Sequence, residues 1–236
     1  MDPNKKIARI VGALFLIAMA ASLLGGGLVE SVLSSPDTLK AVSENETQVI
    51  VGTLLELLNA IAVIGIAVML YPILRRRNPN IALGYLGFRI VEAVFCNLIV
   101  ISPLSLIVLS QEYTSPDAAQ ALALSTAGAL SIAGRASVAG VLIPVFFSLG
   151  ALLFYALAYQ TWLLPRPLAA WGLIGAALVL ANCLLQMLNP ELSTGAQMVF
   201  ALPIILNEIF LGIWLMVKGF NNQAAGVGLA WQTSTP

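Results

Sequence analysis

Arg89 and Glu92 stand three positions apart inside an otherwise apolar run, GYLGFRIVEAVFCNLIVISP, Gly84 to Pro103. A guanidinium can grip a carboxylate or phosphate through paired hydrogen bonds, and a carboxyl group can carry a proton. Three-residue spacing on a helix sets the two about 60° apart on one face, where they can also neutralise each other. Glu56 and Glu208 are further acids within apolar runs. Amides accompany them. Asn59 follows Glu56 by three, Asn97 lies five beyond Glu92, and Asn207 adjoins Glu208. Asn182, Gln186 and Asn189 recur at four- and three-residue spacing as one polar stripe.

The elements that must hold these groups are greasy. The 236 residues are 59% hydrophobic and only 9% charged, against about 25% charged in a soluble domain. Several apolar runs reach the roughly 20 residues needed to cross a bilayer. Eleven basic and eleven acidic residues cancel, which gives no basic surface for nucleic acid. There is no histidine, which removes imidazole-held haem, zinc-dependent intramembrane hydrolysis and the usual neutral-pH acid–base group. Cys96 and Cys183 both fall within apolar runs and read as small fillers, and no metal spacing exists, so no cofactor is implied. The first run, from about Ile10 to Val29, is long and lacks a small-x-small cleavage site, so it reads as a span rather than a signal peptide.

The spacing predicts an all-α, polytopic transmembrane bundle of six helices, roughly Ala8–Val32, Val49–Leu74, Ile81–Leu109, Ser137–Tyr159, Leu168–Leu188 and Met198–Val217. Residues 1–218 read as one membrane domain and 219–236 as a flexible cytoplasmic tail. Lys5, Lys6, Arg9, Arg75, Arg76, Arg77, Arg166 and Lys218 fall on one side, and only Lys40 on the other. That asymmetry predicts cytoplasmic termini and an inner-membrane location. Residues 117–134 are helix-prone but too short to span before Arg135. They read as an alanine-rich helix on the outer face or an extension of the fourth span, with a re-entrant segment as the alternative. Arg135 is expected at the outer edge, snorkelling. Pro103, Pro144 and Pro203 invite kinks in the third, fourth and sixth spans.

At about 1.5 Å per residue, Glu92 lies about 16 Å from the cytoplasmic boundary and Glu208 about 15 Å from the outer one, both near the midplane. Arg89 is one turn nearer the cytoplasm, and Glu56 is about 10 Å below the outer boundary. Arginine and glutamate near a helix centre each oppose insertion by about 2.5–3.5 kcal/mol, which the many aliphatic residues of the third span offset. Three acids then face one securely buried base, so one carboxyl must be neutralised by a proton or by something outside the protein. The amides extend from midplane outward, which outlines a polar cavity open to the external side and floored by Arg89, Glu92 and Glu208. Two readings stand together: the charges fix helix registry, or they mark a ligand site. The third and sixth spans also each place a glutamate near the midplane while running oppositely, a faint sign of an inverted repeat.

"LYPILRRRNPNIALGYLGFRIVEA", "PVFFSLGALLFYALAYQTWLLPRPLAAWGLIGAA" and "NEIFLGIWLMVKGF" together resemble the bacterial integral membrane family labelled domain of unknown function 4386. The most specific elements are "FRIVEA", "LPRPLAAWG" and the closing "LMVKG". The resemblance covers the second to sixth spans and much of the first, and implies that Arg89, Glu92 and Glu208 occupy polar positions of the pattern. It implies no activity.

Three functions compete on this sequence. The leading one is binding, with transport if kinked helices rearrange, of a small polar or amphiphilic ligand. Arg89, Glu92, Glu208, Glu56, Asn59, Asn97, Asn182, Gln186 and Asn207 would form its site. Beyond the lipid bilayer and this small-molecule or lipid ligand, no partner is indicated, and no oligomeric state follows. The second is an intramembrane enzyme acting on lipid, with Cys96 one turn beyond Glu92. No histidine, aspartate-rich motif or nucleophile elbow supports it, and no catalytic residue is assigned. The third is a non-catalytic sensor or assembly subunit whose charges only set registry.

Overall fold

A computed structural model describes residues 3–113, 118–188 and 194–221. Among these the structure is all helical: α1 (Pro3–Leu33), α2 (Thr38–Glu44), α3 (Glu46–Arg75), α4 (Pro79–Leu98), α5 (Ile101–Glu112), α6 (Ala118–Ser137), α7 (Ile143–Gln160), α8 (Arg166–Leu188) and α9 (Thr194–Val217). Six helical stretches are long and apolar enough to cross a membrane, and α4–α5 and α6–α7 each count as one. Leu24, Ile61, Leu83, Val94, Ile174 and Ile213 are half or more exposed on the outside of the bundle. A water-soluble surface does not carry such a coat, and a lipid-facing one requires it.

The α3–α4 connection shows local sequence dictating structure. Arg76, Arg77 and Asn78 make the whole turn. The Asn78 side chain accepts from the backbone N–H groups of Asn80 and Ile81, both at 3.1 Å, and Pro79 occupies the first helical position, where a missing N–H is harmless. Gly219 (φ 78°) lets the chain leave α9, so that the amide of Asn221 reaches the Leu163 carbonyl and Phe220 is buried. The expected tail thus begins with three packed residues, and 222–236 lie outside the described residues.

Two expected helices are interrupted, each for a proline. The third span divides into α4 and α5 at Ile99–Val100, because Pro103 has no N–H to return to the Ile99 carbonyl one turn earlier. The fourth begins far earlier than expected. From Ala118 the helix runs through a π-helical turn, Val138–Leu142, into α7, with Pro144 at the start of the regular helix beyond. Ile143 N–H donates to the Val138 carbonyl, five residues back. The alanine-rich stretch is therefore continuous with the fourth span. The 42 residues from Ala119 to Gln160 measure about 63 Å at 1.5 Å each, twice a hydrocarbon core.

Each spanning element packs against the next in chain order, and the last closes on the first: α1 on α3, α3 on α4, α4 on α7, α7 on α8, α8 on α9, α9 on α1. The result is a ring of antiparallel neighbours in which α4 and α9 stand opposite each other. Small residues let the ring close tightly. A β-carbon at Gly12 of α1 would lie 2.5 Å from the Gly212 carbonyl oxygen of α9, and one at Gly25 would lie 2.8 Å from that of Gly52 on α3. A second apolar cluster (Val29, Leu33, Leu39, Val42, Leu106 and Leu124 among its members) ties α2, α5 and α6 to the end of α1 remote from the Arg-rich turn.

Gly12→Val should destabilise the bundle by about 1–3 kcal/mol, because backbone rather than a flexible side chain blocks the added carbons. Gly87→Ala, with open space around it, should leave the thermal midpoint of the detergent-solubilised protein unchanged or raised. Equal midpoints for both variants would refute the close α1–α9 crossing.

Candidate functional site

Arg89 and Glu92 pair within α4. The Arg89 Nη1 donates to both Glu92 carboxylate oxygens, at 2.8 and 3.1 Å, and each side chain is 5% exposed. The facing helix α7 makes room for the arginine at Gly150, where a β-carbon would come 3.3 Å from Arg89 Cδ. One turn earlier on α7, the Phe147 ring lies 5.4 Å from the guanidinium carbon. Arg89 Nε and the Tyr155 hydroxyl are buried without a hydrogen-bond partner. Glu208 comes across the ring from α9 and lies within charge range of Arg89, Glu92 and Tyr155. It has no hydrogen bond or ion pair of its own among the described residues.

A second pair lies one level away, between α3 and α6. Arg135 offers both terminal nitrogens to Glu56 as a fork: Nη1 lies 3.0 Å from Oε2, and Nη2 bonds the other oxygen. The same Nη1 donates to the Ile99 carbonyl at 2.9 Å. That is the carbonyl left without its helical partner by Pro103, so the proline creates the acceptor that anchors the arginine. Arg135 is buried, at 7% exposure, not snorkelling at an edge. The correction has a simple cause. The helix extends upstream to Ala118, so Arg135 lies inside a continuous rod rather than at its start. Among the described residues the two buried pairs, Arg89–Glu92 and Arg135–Glu56, therefore leave the half-buried Glu208 as the unpaired acid near Arg89.

Two adjoining cavities connect these groups. One, of about 310 Å³, is lined from all six spans, with Phe15, Val63, Phe147, Val179 and Ile204 among its apolar walls and Arg89, Glu92 and Glu208 as its charges. The other, of about 440 Å³, contains Glu56, Arg135 and Glu30. Ser22, Asn59, Cys96, Ala139 and Ile143 line both. Glu30 is exposed, near the end of α1 remote from the Arg-rich turn.

The remaining amides part company. Asn59 lines both cavities, and its amide nitrogen lies 3.9 Å from the Cys96 sulfur. Asn97 is exposed and donates to the Ala93 carbonyl of its own helix. Asn207 is fully buried and donates to Leu168 of α8 at 3.1 Å, a helix-to-helix tie. Asn182 is buried with an unpartnered Oδ1, and Gln186 lies beside Gly140 of the π turn. None of these four lines either cavity. Asn189 falls outside the described residues. Sequence reasoning passed over Ser22, Glu30 and the π turn. Ser22, Gly26 and Glu30 recur every four residues along one face of α1, a stripe that could have revealed the first two.

Residues 10–219 match the profile of a family described as a domain of unknown function (DUF4386), and the chain belongs to that family. No curated protein and no solved structure matches it. With six spans it is a multi-pass protein of the bacterial inner membrane.

Because each arginine is closed on a carboxylate, removing one partner should cost more than removing both. Glu56→Gln should lower stability by about 3–5 kcal/mol, and adding Arg135→Gln should recover more than half of that. The thermal midpoints of the two single variants and the double variant complete a double-mutant cycle. Additive losses would show that the pair does not act as a unit.

Proposed function

We propose that this protein binds a small polar or amphiphilic ligand at the Arg89, Glu92 and Glu208 cluster, reached from outside the cell through the Glu56–Arg135 level. The observation that carries this reading is a cavity lined from all six spans that ends at the buried Arg89–Glu92 pair and at Glu208, which has no hydrogen bond or ion pair among the described residues. Interior ionisable groups at mid-membrane mark pathways and ligands more readily than they mark packing. Asn59 lies between the two levels as the amide a ligand would meet on the way in.

The outward direction rests on charge. Arg76 and Arg77 share a small pocket with Asn4, Leu163 and Phe220, which gathers the chain's start, the α3–α4 turn, the α7–α8 turn and the end of α9 at one basic end. Arg166 stacks 3.7 Å over Trp162 and 5.3 Å from Tyr159 at that same end, in the manner of an interfacial anchor. A basic end is the cytoplasmic end, so both termini face the cytoplasm and Glu30 faces outward. Movement of ligand across the membrane would draw on the π turn and Pro144, which sit at the cavity wall and weaken the regular ladder there.

One observation favours a second reading. Both arginines are already paired with carboxylates, as registry pins would be. Accessibility separates the two. Ser22→Cys, placed in a Cys96→Ala, Cys183→Ala background, should react with a membrane-impermeant thiol reagent added outside intact cells. It should resist the same reagent applied from the cytoplasmic side of inverted vesicles. Reaction from the cytoplasmic side alone would reverse the orientation, and no reaction from either side would leave only the pins.

A further inference from the structure

The charge inventory of the inner cavity points to the class of ligand, and this step rests on the binding reading above. Arg89 is already paired. Its Nη1 holds both oxygens of Glu92 while Nε stays without a partner, so an incoming anion could meet that edge only beside two carboxylates, Glu92 and Glu208. Glu208 lines the cavity and has no hydrogen bond or ion pair among the described residues, so the cavity lining holds two acids against one base. The outer cavity repeats the imbalance. Glu56 is taken by Arg135, and Glu30 is left over at the exposed end. With its unpaired acid ionised, each level of the path carries one surplus negative charge, which repels anions and draws cations inward.

The walls narrow the choice among cations. A hard metal ion wants six or more oxygen ligands, and the inner cavity offers the Glu208 carboxylate, the Asn59 amide oxygen, the Ser22 hydroxyl and a Glu92 carboxylate already held by Arg89, in a lining that is otherwise mostly carbon. No group of three potential metal-ligating side chains occurs among the described residues. Phe15, Val63, Phe147 and Ile204 would instead bury an apolar body. We propose that the inner cavity takes a protonated amine on a short alkyl body, with the ammonium on Glu208 and the chain among these apolar walls.

The test uses the full chain in lipid nanodiscs, with empty discs subtracted, and three probes of one shape: hexylamine, hexanol and hexanoate. Hexylamine should bind saturably and at least about tenfold more tightly than either of the others, the discrimination of one charged hydrogen bond. From butylamine to hexylamine the affinity should rise about fourfold per methylene. Glu208→Gln should lose about tenfold or more in amine affinity while eluting as wild type on gel filtration. Should that variant fail to fold, protection of Ser22→Cys serves instead: hexylamine should slow its labelling and hexanol should not. Hexanoate binding as tightly as hexylamine, or Glu208→Gln binding amine like wild type, would overturn the cation assignment. If Ser22→Cys labels from outside but no amine binds, the cavity reading survives and this one falls. If Ser22→Cys does not label, both fall.

Discussion

A guanidinium inside hydrocarbon has to be matched by a carboxylate and by acceptors for its remaining N–H groups, and the rest of this bundle is arranged around that demand. Arg89 finds its carboxylate within its own helix, through the three-residue step to Glu92, and leaves its Nε unpartnered. Arg135 meets it between helices, with Glu56 of α3 and a carbonyl of the α4–α5 break. The first solution costs the fold nothing in topology. The second ties α3, the α4–α5 break and α6 into one register through the arginine's fork. The ring of antiparallel spans supplies the enclosed axis on which both pairs and Glu208 converge.

Proline and glycine serve this arrangement in opposite ways. Gly12, Gly25 and Gly150 remove volume, so that helices approach closely or an arginine stem can pass between them. Pro103 removes a donor and leaves a carbonyl for Arg135. In water an unpaired carbonyl would be hydrated. In hydrocarbon it requires a protein partner, and here that partner is a charge whose own burial needed one.

The spans were legible in the sequence because a bilayer imposes a minimum apolar length that few other constraints imitate. Arg89, Glu92, Glu56 and Asn59 were legible for a similar reason: polar groups at three-residue spacing in such runs share a face. Asn97 and Asn207 misled by proximity in the chain. Five residues is about 140° around a helix and one residue about 100°, so each points away from the glutamate it follows or precedes. Arg135 was misjudged because residues 118–134 are rich in alanine, and their hydropathy falls below that of the neighbouring spans although the backbone stays helical. Which carboxylate would stay unmatched depended on that one arginine, and no local pattern announces a pairing 79 residues distant.

The π turn sets more than a local bend. A regular helix advances about 100° per residue, so one extra residue taken up between Val138 and Leu142 fixes the angular phase of everything on α6 against everything on α7. Arg135 is aimed at Glu56 while Phe147 and Gly150 are aimed at Arg89, and the π turn sets the angle between those two directions. Were the bulge to slide along the rod, α6 would swivel like a key in a lock, withdrawing its cation from one level of the passage while the other level stood still.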